Sequence, residues 1–142
     1  MTFKNKQKFF KDFKMRLVDN PDAKTERVME SVTRKVMNDA KVSVSKKGRG
    51  RSYPRKSGPP HTASAPGDPP ATDTGELKNN ITMDVIRRGK TVVGQIISGA
   101  NYSEHLEFGT VNMEARPFLA PALKNNKRHI LRKFKNAGMV KK

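Results

Sequence analysis

Apolar residues recur at helical spacing from the start of the chain. Phe3, Phe9, Phe10, Phe13, Leu17 and Val18 alternate with lysines, which predicts an amphipathic helix over about residues 2–18. "DNPD" then punctuates the pattern: Asn20 suits an N-cap, Pro21 the first helical position, and Asp22 the positive end of a new helix dipole. Val28, Met29, Val32, Val36, Met37 and Ala40 keep the helical period, so a long second helix is expected over about 21–44. In "ITMDVIRRGKTVVGQIIS" the period shortens to two: Ile81, Met83 and Val85 alternate, and apolar residues return at Val92, Val93, Ile96 and Ile97. With "RRGK" as the turn, an antiparallel hairpin pairing 81–87 with 91–98 follows.

Shorter elements flank the hairpin. Before it, Asp73 or Thr74 can cap a helical turn containing Leu77. After it, "NYSEHLEFG" predicts one short helix, capped by Asn101 or Ser103, with Leu106 and Phe108 facing inward and Gly109 as a left-handed C-cap. Pro117 or Pro121 then falls in the first turn of a last helix, where a missing N–H does no harm. Leu119, Leu123, Ile130 and Phe134 form its apolar stripe, and Gly138 ends it. The expected fold class is α+β: a small antiparallel sheet built around the hairpin, packed by N-terminal and C-terminal helices.

Composition changes one part of this picture. Residues 45–73, "SKKGRGRSYPRKSGPPHTASAPGDPPATD", are rich in Gly, Pro and Ser. Such a segment buries too little apolar area to offset its ordering entropy, so alone it is expected to be an extended basic and Pro-rich arm within a single domain spanning 1–142. Loops of this length in compact domains are commonly functional or ordered by a partner. Only 34% of the 142 residues are hydrophobic, which limits the core to a modest one.

Charge changes the functional picture. The net charge is +17, which points to a polyanionic neighbour: nucleic acid, an acidic protein surface or anionic lipid. Lys46, Lys47, Arg49, Arg51, Arg55 and Lys56 cluster in the arm, while Lys124, Lys127, Arg128, Arg132, Lys133 and Lys135 line the last helix with no acid after Glu114. These twelve are the candidate contacts to a partner or to DNA. No apolar run approaches the roughly 20 residues that cross a bilayer, and the N-terminus lacks the pattern expected of a secretory signal. The absence of cysteine removes disulfides, thiol nucleophiles and cysteine zinc sites.

Candidate chemistry is sparse. His61, His105 and His129 fall on different elements; His105 between Glu104 and Glu107 lacks the two-histidine spacing of zinc proteases. Glu104 and Glu107 can share a helix face, a spacing that equally suits a favourable helix N-terminus or salt bridges. "GKT" at residues 89–91 lacks the glycine-rich loop of a phosphate cradle and falls in the predicted turn. "GRGR" can grip phosphates or serve as a basic tether. Neither an enzyme nor a cofactor or metal is expected.

Three phrases in fixed order carry a resemblance: "SAPGDPPATDTGELKNNI", then the hairpin, then "YSEHLEFGT" followed by "ARPFLAPAL". Over about residues 64–123 the chain resembles the neck, or tail-completion, protein family of long-tailed double-stranded DNA bacteriophages. The resemblance implies a non-enzymatic virion subunit at the head–tail junction, made in the host bacterial cytoplasm. It implies a homo-oligomeric ring, sixfold, that meets other neck, connector and tail proteins and has the end of the phage DNA as a further contact. Within it, Gly75 and Leu77 would close the arm onto the domain. Tyr102, Leu106 and Phe108 would anchor the short helix, and Gly109 would turn the chain. Arg116, Pro117, Phe118 and Pro121 would set the angle of the last helix, with Arg116 paired to Glu107. Two alternatives stay open: a stand-alone nucleic-acid-binding protein using the same basic tracts, and a head-closure or tail-terminator subunit of the same junction.

Overall fold

A computed structural model describes residues 22–139 and the backbone of 15–18. In chain order the elements are β1 (Met15–Val18), α1 (Ala23–Ser43), β2 (Ser52–Tyr53), β3 (His61–Thr62), α2 (Glu76–Asn79), β4 (Ile81–Arg88), β5 (Thr91–Ser98), α3 (Ser103–Phe108) and α4 (Leu119–Asn136). The protein is α+β, with a three-stranded antiparallel sheet of order β1-β5-β4 and a two-stranded ribbon of β2 and β3.

The hairpin forms as its alternation predicts, with Ile81 opposite Ser98, Met83 opposite Ile96 and Val85 opposite Gly94. That register puts Ile81, Val92 and Ile96 into the core on one face. Helix α1 lies across this face and also packs against α4, so it is the element on which both sheet and C-terminal helix rest. Met29, Val32, Val36 and Ala40 are fully buried. Each of the three larger side chains contributes roughly 1.5–3 kcal/mol by leaving water. Gly94 makes the close approach possible: a Cβ there would lie 2.2 Å from Thr33 Oγ1 and 2.9 Å from Met29 Sδ.

The start of α1 differs from the expected Asn20 cap. Asp22 is the N-cap, its Oδ1 accepting from the Thr25 N–H at 2.7 Å and from Thr25 Oγ1 at 2.8 Å. The backbone hydrogen bond, then the hydroxyl, hold the Asp22 carboxyl below its ordinary range. Asp22 displaces Asn20 because the S/T/D-x-x geometry places Thr25 at N3, where both its N–H and hydroxyl can reach back.

Residues 15–18 correct a second expectation. They are not the last turn of a helix but a strand antiparallel to β5, with Met15 opposite Gly94 and Leu17 opposite Val92. β5 lies between two strands as a result, so its outer amides and carbonyls gain partners. The remainder of the helix expected over 2–18 lies outside the described residues.

The ends of α4 follow from its sequence. Pro121 sits in the first turn, where its missing N–H costs nothing. At the other end Gly138 donates to Lys135 O at 3.0 Å and Met139 to Phe134 O at 3.0 Å, the paired bonds of a Schellman motif. The buried stripe contains Leu119, Ala122, Ile130 and Phe134 as well as one polar residue, Asn126, with Leu123 only partly buried. Asn126 Nδ2 donates to Ala122 O at 2.9 Å and to Asp39 Oδ2 of α1 at 2.7 Å, which satisfies it and fixes one helix against the other.

Candidate functional site: the joint between the arm and the last helix

The arm is more ordered than its composition predicts. Ser52 pairs with Thr62 and Tyr53 with His61. The ladder continues toward the domain through Gly50 N to Ala63 O at 2.8 Å and Ala63 N to Arg51 O at 3.0 Å. Two glycines allow this closure: a Cβ on Gly48 would meet Ala63 O at 2.1 Å, and one on Gly50 would meet Ser64 O at 2.7 Å. The arm is therefore a hairpin that projects and returns. Residues 51–60 are all exposed, while Ser64 and Pro70 at its base are buried.

Charges within the arm are partly spent on the arm itself. Arg49 holds Asp68 through a forked contact at 3.0–3.3 Å. Arg55 pairs with Asp73, and His61 Nδ1 lies 3.8 Å from the same carboxylate. Arg51 stacks over the Tyr53 ring, 5.7 Å from its centroid. The ion pairs are exposed enough to add only about 0–1 kcal/mol each.

The base of the arm is tied to the segment between α3 and α4. Arg116 Nη1 donates to Ser64 Oγ at 3.0 Å, and Gly67 N donates to Ala115 O at 3.2 Å. Arg116 N also donates to Leu106 O at 2.6 Å, so one residue links arm, α3 and the approach to α4. Val44, Pro70, Leu77, Tyr102, Leu106 and Arg116 wall a 370 Å³ cavity at this meeting point. Gly75 stands at the N-cap of α2 with φ 83°, and Leu77 enters the core. Thr74 Oγ1 accepts from Glu76 N at 3.3 Å. Burial pushes the Tyr102 hydroxyl up, and the charge of the neighbouring Glu76 carboxylate adds to it.

Glu107 does something the sequence did not suggest. It is 4% exposed, and its carboxylate accepts from Phe118 N at 2.9 Å, Leu119 N at 3.0 Å and Ala120 N at 2.8 Å. A carboxylate from one helix thereby caps the next, satisfying three N–H groups that α4 could not satisfy itself. The expected Arg116–Glu107 pair does not form, because Glu107 is occupied by the α4 N-terminus and Arg116 turns to Ser64. A local cue existed, since Phe118 at the N-cap position has no capping side chain of its own.

Two further expectations are corrected here. Phe108 is 52% exposed and does not face inward; at the end of a six-residue helix it falls beside buried Glu107 and off the buried side. Tyr102 is itself the N-cap of α3, with no side-chain capping bond, and Asn101 and Ser103 do not take that place. Gly109 has φ 73° and ψ −179°, a positive-φ conformation beyond the left-handed helical region and open essentially to glycine alone. A Cβ there would also lie 2.7 Å from Met113 O and 2.8 Å from Ala115 N. Pro117 is half-buried and Phe118 is completely buried, holding the chain as it enters α4.

The twelve candidate contact cations are divided between the arm and α4. Those of the arm lie on and around the ribbon, where Arg49 and Arg55 are paired. Lys124, Lys127, Arg128, Arg132, Lys133 and Lys135 are all exposed on α4. Among the described residues no group of three or more His, Asp or Glu stands close enough to hold a metal ion, and no helix is long and apolar enough to cross a membrane. No protein-family model, curated protein or solved structure matches this chain.

Proposed function

We propose that this chain is a structural subunit of the head–tail junction of a long-tailed double-stranded DNA bacteriophage. In this reading it is a neck or tail-completion protein that assembles as a ring and either finishes the tail or joins it to the head. The observation that carries the proposal is the convergence of the three phrases behind the family resemblance. Residues 64–81 are set apart in sequence from 102–110 and 115–123 by the hairpin, yet Ser64–Arg116, Gly67–Ala115 and Glu107–Phe118 bring the three phrases into one joint.

The chemistry of the joint supports a structural role. Its one buried carboxylate is committed to three backbone amides, and its arginine to a serine and a carbonyl-linked turn. The carboxylate is thereby spent on the backbone, while the Nε of Arg116, buried beside the cavity, has no hydrogen-bond partner among the described residues. What the joint achieves is positional: it fixes a projecting hairpin and a basic helix on one small body. A ring subunit needs such a part, because neighbours must be met at a repeated angle if the assembly is to close.

Electron microscopy of the full chain, alone and mixed with purified tails from the encoding phage, tests the proposal. Closed rings, or tails carrying an added terminal ring, are the expected result. A protein that stays monomeric and leaves tails unchanged under both conditions overturns it.

A further inference from the structure

None of the six cations of α4 meets a carboxylate among the described residues, whereas some of those in the arm and on α1 are paired; Lys46, Lys47, Arg51 and Lys56 of the arm form no ion pair either. On α1, Arg34 pairs with Glu30 at 2.5 Å and Lys35 with Asp39 at 2.6 Å. In the arm, Asp68 and Asp73 take up Arg49 and Arg55. On α4, residues 119–136 contain no acid, and Lys124, Lys127, Arg128, Lys133 and Lys135 form no ion pair with any described residue. Arg132 reaches only His129, on the same helix.

Their spacing is regular. Lys124, Arg128, Arg132 and Lys135 follow one another at four, four and three residues. At 1.5 Å per residue this makes a row about 16 Å long, with steps of about 5–6 Å, confined to within about 80° of the helix circumference. The row lies opposite the stripe of Leu119, Asn126, Ile130 and Phe134 that holds α4 to the body. The helix is also braced at three points: Glu107 at its start, Asp39 on Asn126 at its middle, and Lys24 Nζ on Ala137 O at 3.0 Å at its end.

We infer that this row is a phosphate-contacting stripe that lies along the backbone of double-stranded DNA, and that the arm is not part of it. Each strand of duplex DNA carries a phosphate for about every 3.4 Å of helix axis, and along the winding backbone successive phosphates lie about twice that far apart, so a 16 Å row meets about three on one strand. A protein partner fits less well. Specific protein interfaces are built on buried aromatic and aliphatic anchors, and the exposed face of α4 offers only Leu131. A line of cations without acceptors or anchors is suited to positioning along a repeating anion, with no reading of bases. The inference rests on the junction reading only for the presence of DNA at the site of assembly.

The test measures binding of the full chain to a duplex of about 30 base pairs and arbitrary sequence by fluorescence anisotropy, over a range of salt. One variant carries Lys124→Gln, Arg128→Gln, Arg132→Gln and Lys135→Gln; the other carries Lys46→Gln, Lys47→Gln, Arg51→Gln and Lys56→Gln. All eight positions are exposed, and an unchanged circular dichroism spectrum and melting midpoint confirm that each variant folds. The α4 variant is expected to reduce the slope of log K against log salt by about 3–4, and the arm variant by less than about 1. An equal or larger loss from the arm variant overturns the inference, as does an α4 variant that binds like the parent. Poly-glutamate that competes with duplex at equal charge also overturns it, since the stripe would then serve an acidic protein. DNA binding by a chain that never forms rings leaves the stripe standing and removes the junction reading; ring formation without DNA binding does the reverse.

Discussion

Glu107 Oε2 lies 2.9 Å from the amide nitrogen of Phe118, and the same carboxylate reaches the next two amides of α4. The negative end of this contact is a buried side chain of α3, and the positive end is the N-terminus of another helix. Helix caps are ordinarily supplied from within three residues; here the donor and acceptor are eleven apart, so the intervening turn is closed by the cap itself.

Replacing Glu107 by alanine therefore does more than remove a local cap. It strands buried amides and takes the anion from the helix dipole, which is expected to cost about 2–4 kcal/mol. Glu107→Gln keeps one acceptor oxygen and should lose about half as much. Urea unfolding followed by circular dichroism measures both. A loss of less than about 0.5 kcal/mol in the alanine variant would show that the three bonds contribute little.

Arg116 tests whether the arm and the joint move as one. Arg116→Met keeps most of the aliphatic volume but loses the donors to Ser64, and should cost only about 1–2 kcal/mol overall. The amides of Gly50, Ala63 and Gly67, which close the arm, should exchange with deuterium markedly faster in the variant while those of β4 and β5 stay protected. Uniform protection across the arm in the variant would mean that the ribbon holds itself without the joint.

Gly94 tests how closely α1 rests on the sheet. Gly94→Ala drives a methyl group into Thr33 and Met29 on a helix that already packs against α4. Overpacking of this kind typically costs about 1–3 kcal/mol, seen here as a lowered unfolding midpoint. Combining it with Thr33→Ser, which keeps the hydroxyl at Oγ and so removes no obstacle, should give no rescue.

Asp39 gives the pH dependence a sign. Burial pushes its carboxyl up, but hydrogen bonds from Lys35 and Asn126, together with the charges of Lys35 and His129, outweigh that and hold it below 3.8. A depressed folded value means that the stabilisation is complete above the unfolded pKa and is lost as the pH falls through the folded one. Stability should therefore drop in acid, from about pH 4 downward. In Asp39→Asn that part of the acid limb should flatten, as measured by thermal melts across the range. An unchanged acid limb would mean that other carboxylates carry it.

How much of this was readable in the sequence depended on the range over which each signal acts. The period of Met29, Val32, Val36 and Ala40 gave α1, and the alternation of Ile81, Met83 and Val85 gave the hairpin, because both are local and repeated. Residues 15–18 continued an i, i+3, i+4 pattern of apolar and basic residues, yet pairing with β5 decided their state, and no local window contains that partner. The ribbon failed to register for a similar reason. Its strands are two residues long, and its real signature is Gly48 and Gly50 making room for a backbone that returns fourteen residues later. At the joint the residue set was legible, but the pairing was not: Glu107 and Arg116 carry opposite charges, and only the orphan amides of α4 explain why they choose other partners.

The central claim, a structural subunit of the head–tail junction, is tested most directly by removing it. If the chain is such a subunit, its deletion from the phage that encodes it leaves DNA-filled heads and tails that fail to form infectious joined particles, as seen by electron microscopy. Adding the purified full chain to that lysate should restore joined virions with a ring of added density at the junction. Intact, infectious particles assembled in its absence would contradict the account.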